Sequence, residues 1–254
     1  PIMERARDLG LICFSSPFDE TAVDFLEDLG VPAFKIASFE NNHLPLIKKT
    51  ASTGKPLIIS TGMATLGELD QAVNTAREAG CEQLVLLKCT STYPATPENT
   101  NISTIPHLKQ LFGSEVGLSD HTMGVGVAVA SVALGASVIE KHFTLSRQDG
   151  GVDSAFSLEP DELKSLVLES ERAWQSIGSI SYGPTIAEQK SIIFRRSIYV
   201  SSDIKKGERF SLNNLRIVRP GDGAPPSLFD LIVGSKSPRD FRAGEPLSIE
   251  QILG

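Results

Sequence analysis

Six short apolar runs, separated by stretches with helical patterning, constrain this chain more than any other feature. They occupy residues 11–15, 33–38, 57–61, 84–89, 115–119 and 138–143. Each is short and rich in Val, Ile, Leu or Phe, the profile of a strand buried on both faces. The stretch 21–29 places Ala22, Phe25, Leu26 and Leu29 at i, i+3, i+4 and i+7 and stops at Gly30. Thr65-Leu66-Gly67-Glu68 reads as a capping box, opening a helix that carries Leu69, Ala72, Val73 and Ala76 and closes at Gly80. Residues 125–134 are apolar on every side and are expected to be buried. The stretch 161–177 sets Leu163, Leu166, Val167, Ala173, Trp174 and Ile177 on its core side. Strands alternating with helices in this way build parallel βα units.

Such units close into a barrel or lie in an open, doubly wound sheet. No G-x-G-x-x-G follows the first run, which weakens the dinucleotide-binding alternative. Polar residues end nearly every run: Ser15-Ser16, Lys35 to Ser38, Ser60-Thr61, Thr90-Ser91-Thr92, Ser119-Asp120-His121 and His142. An open sheet gathers ligand residues at one crevice, whereas a barrel draws them from its whole rim. The expected class is therefore α/β, a (β/α)8 TIM barrel. With six runs found, the first two βα units are missing and would precede Pro1. Such a sheet has open edges, so the chain by itself is expected to be poorly active or prone to aggregate.

The pattern changes after Ile177. Residues 178–185 are rich in Gly, Ser and Pro, and from Phe194 onward short segments alternate with turn signals such as Lys206-Gly207 and Gly221 to Pro226. The expected organisation is a catalytic domain over 1–185 and a small β-rich domain over 186–254.

Composition excludes several functions. The 254 residues are 41% apolar and 22% charged, which is globular, and no apolar run approaches the roughly 20 residues of a membrane span. The net charge of −7 argues against nucleic acid as a partner; Arg195-Arg196 and Lys205-Lys206 are the densest basic clusters. Cys13, Cys81 and Cys89 are odd in number and lack metal-ligand spacing. They read as reduced thiols of a cytoplasmic protein.

Two of the four histidines, His121 and His142, end consecutive runs. Neighbouring strands lie about 5 Å apart, so both imidazoles can reach one divalent ion; the plainer alternative is two satisfied polar residues at a rim. Lys35 lies inside an apolar strand, a costly place unless it faces a wet or anionic site. With Ser38, Ser60, Ser91 and Ser119 it would form a cationic, hydroxyl-rich cup for phosphate or carboxylate. Lys88 resembles it, and a lysine at a strand edge with its head in solvent is the competing reading for each. Glu40 is a candidate acid–base group, or a surface carboxylate. Asp153, in a Gly-Gly-Val-Asp-Ser loop, suits sugar hydroxyls or a metal-bound water, or simply a turn. A different barrel chemistry, an aldolase forming a Schiff base on Lys35 or Lys88, fits the same pattern.

Five segments in one order now carry a resemblance: Lys35-Ile36-Ala37-Ser38, Ser60-Thr61-Gly62-Met63, Lys88 to Pro94, Gly117 to Thr122, and Ile139-Glu140-Lys141-His142-Phe143. The chain resembles the sialic acid synthase family, and Arg219-Pro220-Gly221-x-Gly223 resembles that family's C-terminal antifreeze-like (SAF) domain. Cys13 to Phe18 and Gly150 to Pro160 look most like the pseudaminate branch, with N-acetylneuraminate and legionaminate synthesis as alternatives. The resemblance implies a transferase condensing phosphoenolpyruvate with a 2-acetamido sugar, for this branch 2,4-diacetamido-2,4,6-trideoxy-L-altrose. A fragment that binds sugar without turnover is the non-enzymatic alternative. By the resemblance His121 and His142 hold Mn2+, or else Mg2+ or Co2+. Ser16, Lys35, Ser38, Ser60, Ser91 and Ser119 match phosphoenolpyruvate-binding positions, and Ser91 stands where the neuraminate branch typically has Asn. Glu40 matches the proton-transfer residue; Tyr93 and Asp153 match residues beside the sugar and a metal-bound water. The family implies a homodimer that exchanges C-terminal domains, so that Arg219 contacts an N-acetyl group and Phe194 lines the pocket.

Overall fold

The computed structural model describes residues 1–253 and divides into two compact units, Pro1–Gly178 and Ser179–Gly254. The division falls seven residues before the boundary expected at 185/186.

The first unit is a curled half-barrel of five parallel strands, covered by helices. β1 (Phe34–Ile36), β2 (Leu57–Ser60), β3 (Leu84–Cys89), β4 (Glu115–Asp120) and β5 (Val138–Lys141) pair in sequence order. Helices α1 (Ile2–Asp8), α2 (Glu20–Asp28), α3 (Leu44–Ala51), α4 (Leu66–Glu78), α5 (Thr104–Phe112), α6 (Gly126–Ala133) and α7 (Pro160–Ile177) precede or connect them. The run at 11–15 forms no strand. Only Ser15 bridges Phe34, while Leu11 and Ile12 are exposed. One bridge does not make a ladder, so that apolar stretch lacks the two-sided cover that the inner strands have.

The core follows the expected periodicity on most elements. Val23 and Leu26 of α2, Leu46 and Ile47 of α3, and Leu69, Ala72, Val73 and Ala76 of α4 are buried against Phe34, Ile36, Leu57, Ile59 and Leu86. Thr65 caps α4 as its sequence requires: its hydroxyl accepts the Glu68 amide, and the Glu68 carboxylate accepts the Thr65 amide at 2.8 Å. Gly117 lets β4 approach β5, since a Cβ there would stand 2.1 Å from the Val138 carbonyl oxygen.

Two helices depart from expectation. On α6 only Ala128, Ser131 and Val132 are buried, and Gly126, Ala130 and Ala133 are exposed. On α7 only Leu166 is buried; Val167 is 60% and Trp174 68% exposed. The apolar stripe is there, but within this unit α7 packs chiefly on α6, which covers only part of it.

The second unit has an antiparallel pair, β6 (Ser197–Val200) with β7 (Leu215–Val218), and short helices α8 (Phe229–Ile232) and α9 (Ile249–Leu253). Single bridges join Tyr199 to Pro246, Ile204 to Phe241 and Arg209 to Lys236. Its own core contains Ile198, Val200, Ile204, Phe210, Leu215, Phe241 and Leu247. Phe210 and Phe241 meet edge to face at 5.9 Å, and the Arg239 guanidinium lies 3.8 Å above the Phe241 ring.

Candidate functional site

In a strand, successive side chains point to opposite faces. Lys35 on β1, Cys89 on β3, Ser119 on β4 and Glu140 on β5 accordingly share the concave face of the sheet. Lys35 is buried, and its ammonium stands 3.4 Å from Glu140 Oε2. The other oxygen of Glu140 accepts the Ser119 hydroxyl at 2.6 Å. The sequence reading missed Glu140. Its signal was a charged residue in an apolar run, the same signal that marked Lys35.

The loops after the strands complete the cup. The Gly62 amide donates to Ser38 Oγ at 3.2 Å. Asn41, also missed, is buried and donates its side-chain amide to the carbonyls of Ser60 and Gly62 at 3.2 and 3.0 Å. Gly62 is required here: a Cβ would fall 2.1 Å from Ser91 Oγ and 2.6 Å from Ser38 Oγ. Ser60 Oγ and Glu40 Oε2 are buried without a hydrogen-bond partner among the described residues. Such orphaned atoms are costly in a closed protein, but they are what a site for a polar ligand presents. Cys89 sits among these hydroxyls. Burial pushes its thiol up, but hydrogen bonds with His121, Ser38, Ser91 and Ser119 prevail and bring it down to about 7.

Beside the cup, the rings of His121 and His142 lie 5.2 Å apart, with Tyr93 4.3 Å from His121 and Phe156 5.0 Å from His142. His121 Nδ1 is 2.9 Å from the Thr90 carbonyl. A carbonyl only accepts, so Nδ1 carries the proton, and in the neutral ring Nε2 keeps its lone pair, the usual arrangement of a metal-binding imidazole. Burial favours that neutral form, but hydrogen bonds with Cys89 and Thr90 prevail and push His121 above the ordinary histidine range. Burial, then the neighbouring His121, holds His142 below the ordinary histidine range. That favours the neutral, ligating form. Asp153 Oδ2 lies 3.6 Å from His142 Nδ1. Among the described residues no three His, Cys, Asp or Glu side chains close as a complete metal cage. The donor set of two imidazoles and one nearby carboxylate nevertheless suits a divalent ion that keeps open positions. Tyr93 is pushed up by partial burial and then by the charges of Cys89, Asp153, Glu140 and Glu40.

Ser16 is half-buried and makes no side-chain hydrogen bond among the described residues. Phe194 and Arg219 are exposed on the second unit. Lys88 donates to the Cys89 carbonyl at 2.8 Å and to Thr90 Oγ1 at 3.4 Å. It alternates with Cys89 and so faces away from the cup. Lys35 is paired to Glu140, and the face that Lys88 takes keeps its amine from a ligand in the cup, which disfavours the Schiff-base alternative.

Residues 1–182 match the NeuB family and residues 195–253 match the SAF domain. The pseudaminic acid synthase of Campylobacter jejuni is 43% identical over 246 residues, covering 97% of this chain and 72% of that protein. The N,N'-diacetyllegionaminic acid synthase of the same organism is 40% identical over 244 residues, covering 95% of this chain and 73% of that protein. The N-acetylneuraminic acid (sialic acid) synthetase of Leptospira borgpetersenii, solved in complex with citrate, superposes with a TM-score of 0.71. It is 34% identical, covering 75% of this chain and 67% of that one.

Proposed function

The chain belongs to the NeuB family, and from that premise we propose that it condenses phosphoenolpyruvate with 2,4-diacetamido-2,4,6-trideoxy-L-altrose to give pseudaminic acid and phosphate. The observation that carries this reading is the cup itself. A buried ammonium, serine hydroxyls and an orphaned Ser60 Oγ stand on one face, directly beside two imidazoles. A phosphate-bearing carboxylate fits the first part, and an aldehyde oxygen fits the second.

In the reaction a bond forms between C3 of phosphoenolpyruvate and the aldehyde carbon, water adds at C2, and the C2–O bond to phosphate breaks. Lys35, with Ser38, Ser60, Ser91 and Ser119, binds the phosphate and carboxylate oxygens, and Ser16 is placed by family analogy at the edge of that set. Glu40, whose Oε2 has no partner, accepts the proton released as water adds. Tyr93 and Asp153 orient the sugar and the water. His121 and His142, with Asp153 nearby, would hold Mn2+ or a similar divalent ion, which supplies Lewis-acid polarisation of the aldehyde oxygen.

The βα loops expose Phe18, Phe39, Met63 and Met123, one after another around the mouth. Large apolar side chains grouped at a rim suit an interface. They support a homodimer in which the C-terminal domain of one copy covers the barrel of the other, Arg219 meeting an N-acetyl group and Phe194 lining the pocket. Three free thiols among the described residues agree with a cytoplasmic setting. Among the described residues no helix is long and apolar enough to cross a membrane.

The test is phosphate release with each of three sugars: the diacetamido-altrose, its legionaminate-type counterpart and N-acetylmannosamine. Release should require phosphoenolpyruvate, the altrose and a divalent ion together. A higher kcat/KM with either other sugar overturns the substrate assignment. Tight sugar binding without any release overturns the enzymatic reading.

A further inference from the structure

The last residue pair of the β4–β5 ladder is Asp120 with Lys141, and the next residue on each chain is His121 and His142. Asp120 and Lys141 form an ion pair at 2.8 Å, with side chains only 0% and 4% exposed. Alternation puts them on the face opposite Ser119 and Glu140, away from the cup. Neither touches the site. Their remaining bonds all go to the turn that carries His121. Asp120 Oδ1 accepts the Thr122 amide at 2.9 Å, and the Lys141 ammonium also donates to the Thr122 carbonyl. Lys141 therefore reaches from β5 past the end of the ladder and fastens the backbone on the far side of His121. The Ala95 amide secures the His121 carbonyl at 3.0 Å, and the Leu158 amide secures that of His142 at 2.9 Å.

A buried ion pair is a poor choice for stability alone, because apolar residues of similar size usually serve as well or better. What charge supplies here is direction: two acceptors on one strand end are held by one ammonium on the next. We infer that Asp120 and Lys141 are positioning residues that set the separation of the two imidazoles, and so the affinity of the pair for a divalent ion. The inference rests on the metal reading of His121 and His142.

The test compares the parent with Asp120→Asn/Lys141→Met, which removes both charges, keeps an acceptor for the Thr122 amide and keeps side-chain length. Mn2+ affinity is read by calorimetry and the melting temperature by circular dichroism. The expected result is a melting temperature within a few degrees of the parent and a Mn2+ affinity about 10- to 100-fold weaker, the range found when the supporting partners of metal ligands are lost. A purely structural pair would move the melting temperature and leave the affinity alone. Parent-like affinity in the double variant, with uptake abolished in His121→Ala, overturns the positioning role and leaves the metal reading intact. No Mn2+ uptake by the parent overturns both. Should the double variant fail to fold, Lys141→Arg, which keeps both charges but replaces the compact ammonium by a wider planar group, is expected to weaken Mn2+ binding about three- to tenfold. Unchanged affinity there overturns the inference as well.

Discussion

The carboxylate of Glu140 stands 3.4 Å from the ammonium of Lys35 across the concave face, joining the last strand of the sheet to the first. Because Glu140 also takes the Ser119 hydroxyl, its charge is divided between a cation and a hydroxyl that both belong to the cup. Glu140→Gln keeps the shape and removes the charge. It is expected to lower the rate of phosphate release about 10- to 100-fold, the loss of a charged hydrogen-bonding partner worth about 1.5–3 kcal/mol. The melting temperature should change little, since the side chain is partly solvated. Lys35→Met should raise the KM for phosphoenolpyruvate more than it lowers kcat. If steady-state kinetics show both variants at parental rates, this cup is not where the enolpyruvate binds.

Gly62 has no room for a side chain. The nearest atoms to a Cβ there are hydroxyls of Ser91 and Ser38, at 2.1 and 2.6 Å. Gly62→Ala must push both serines out of the cup or displace the loop that Asn41 holds. The cost falls on ligand binding, because Ser91 lies at a solvent-facing loop and can move outward. We expect a loss of phosphoenolpyruvate affinity of at least tenfold by calorimetry with a cooperative melt retained. Parental affinity would show that the loop is looser than its hydrogen bonds imply.

How far these relationships could be read in advance depended on whether they were local. The capping box of Thr65 and Glu68 spans three residues and forms as written. His121 and His142 were identifiable because both end strands, and strand order followed chain order. Glu140 and Lys141 are adjacent charges in one run, and the chain alone does not say which faces the cup. That required the register Asp120↔Lys141 and Ser119↔Glu140. The stripe on α7 was equally legible, but periodicity says which face is apolar and not what covers it. Hence Trp174 and Val167 are exposed where burial was expected.

Lys88 carries a pH signature. Burial pushes its ammonium below the ordinary lysine value, with Cys89 opposing. A lysine whose folded pKa is lowered destabilises the fold while it is charged. That penalty is full at neutral pH and fades as pH rises through the folded pKa toward 10.5, the unfolded value. Lys88→Met is therefore expected to raise the melting temperature at pH 7, by less than about 3 °C for a unit of this size. The advantage should shrink between pH 7 and pH 10. An advantage that grows with pH would show that the hydrogen bonds of Lys88 to Cys89 and Thr90 outweigh its desolvation.

Arg147 controls the loop that holds Asp153. Its guanidinium donates to the Ser157 carbonyl at 3.0 Å and pairs with Glu162 and Glu159, while its amide donates to Glu159 at 2.8 Å. Ser157 in turn donates its hydroxyl to the Asp153 carbonyl at 2.8 Å. Arg147→Met removes the anchor of this chain at the N-terminus of α7. Limited proteolysis should then cut within 148–155 faster than in the parent, and the KM for the sugar should rise several-fold with little change in that for phosphoenolpyruvate. Equal cleavage rates would mean that the loop holds itself.

Ser197 does for the second unit what Asn41 does for the first. It is buried, donates its hydroxyl to the Pro220 carbonyl at 2.7 Å and accepts the Gly223 amide at 2.9 Å. The Gly221 amide donates to the Ile193 carbonyl at 2.8 Å, so the loop carrying Arg219 is laced to the segment carrying Phe194. Gly223 lies so close to β6 that a Cβ would stand 2.3 Å from the Ile198 carbonyl oxygen. In Ser197→Ala two partly exposed backbone groups lose their partner, at a cost below the roughly 1–3 kcal/mol of a fully buried group, and the loop is freed to shift with Arg219. If Arg219 contacts the N-acetyl group, Ser197→Ala should raise the KM for the sugar several-fold and leave that for phosphoenolpyruvate unchanged, as Arg219→Ala does more strongly. Ser197→Thr, which keeps the hydroxyl, should recover part of the loss. A Ser197→Ala variant that melts earlier yet binds the sugar like the parent would confine Ser197 to holding the domain together.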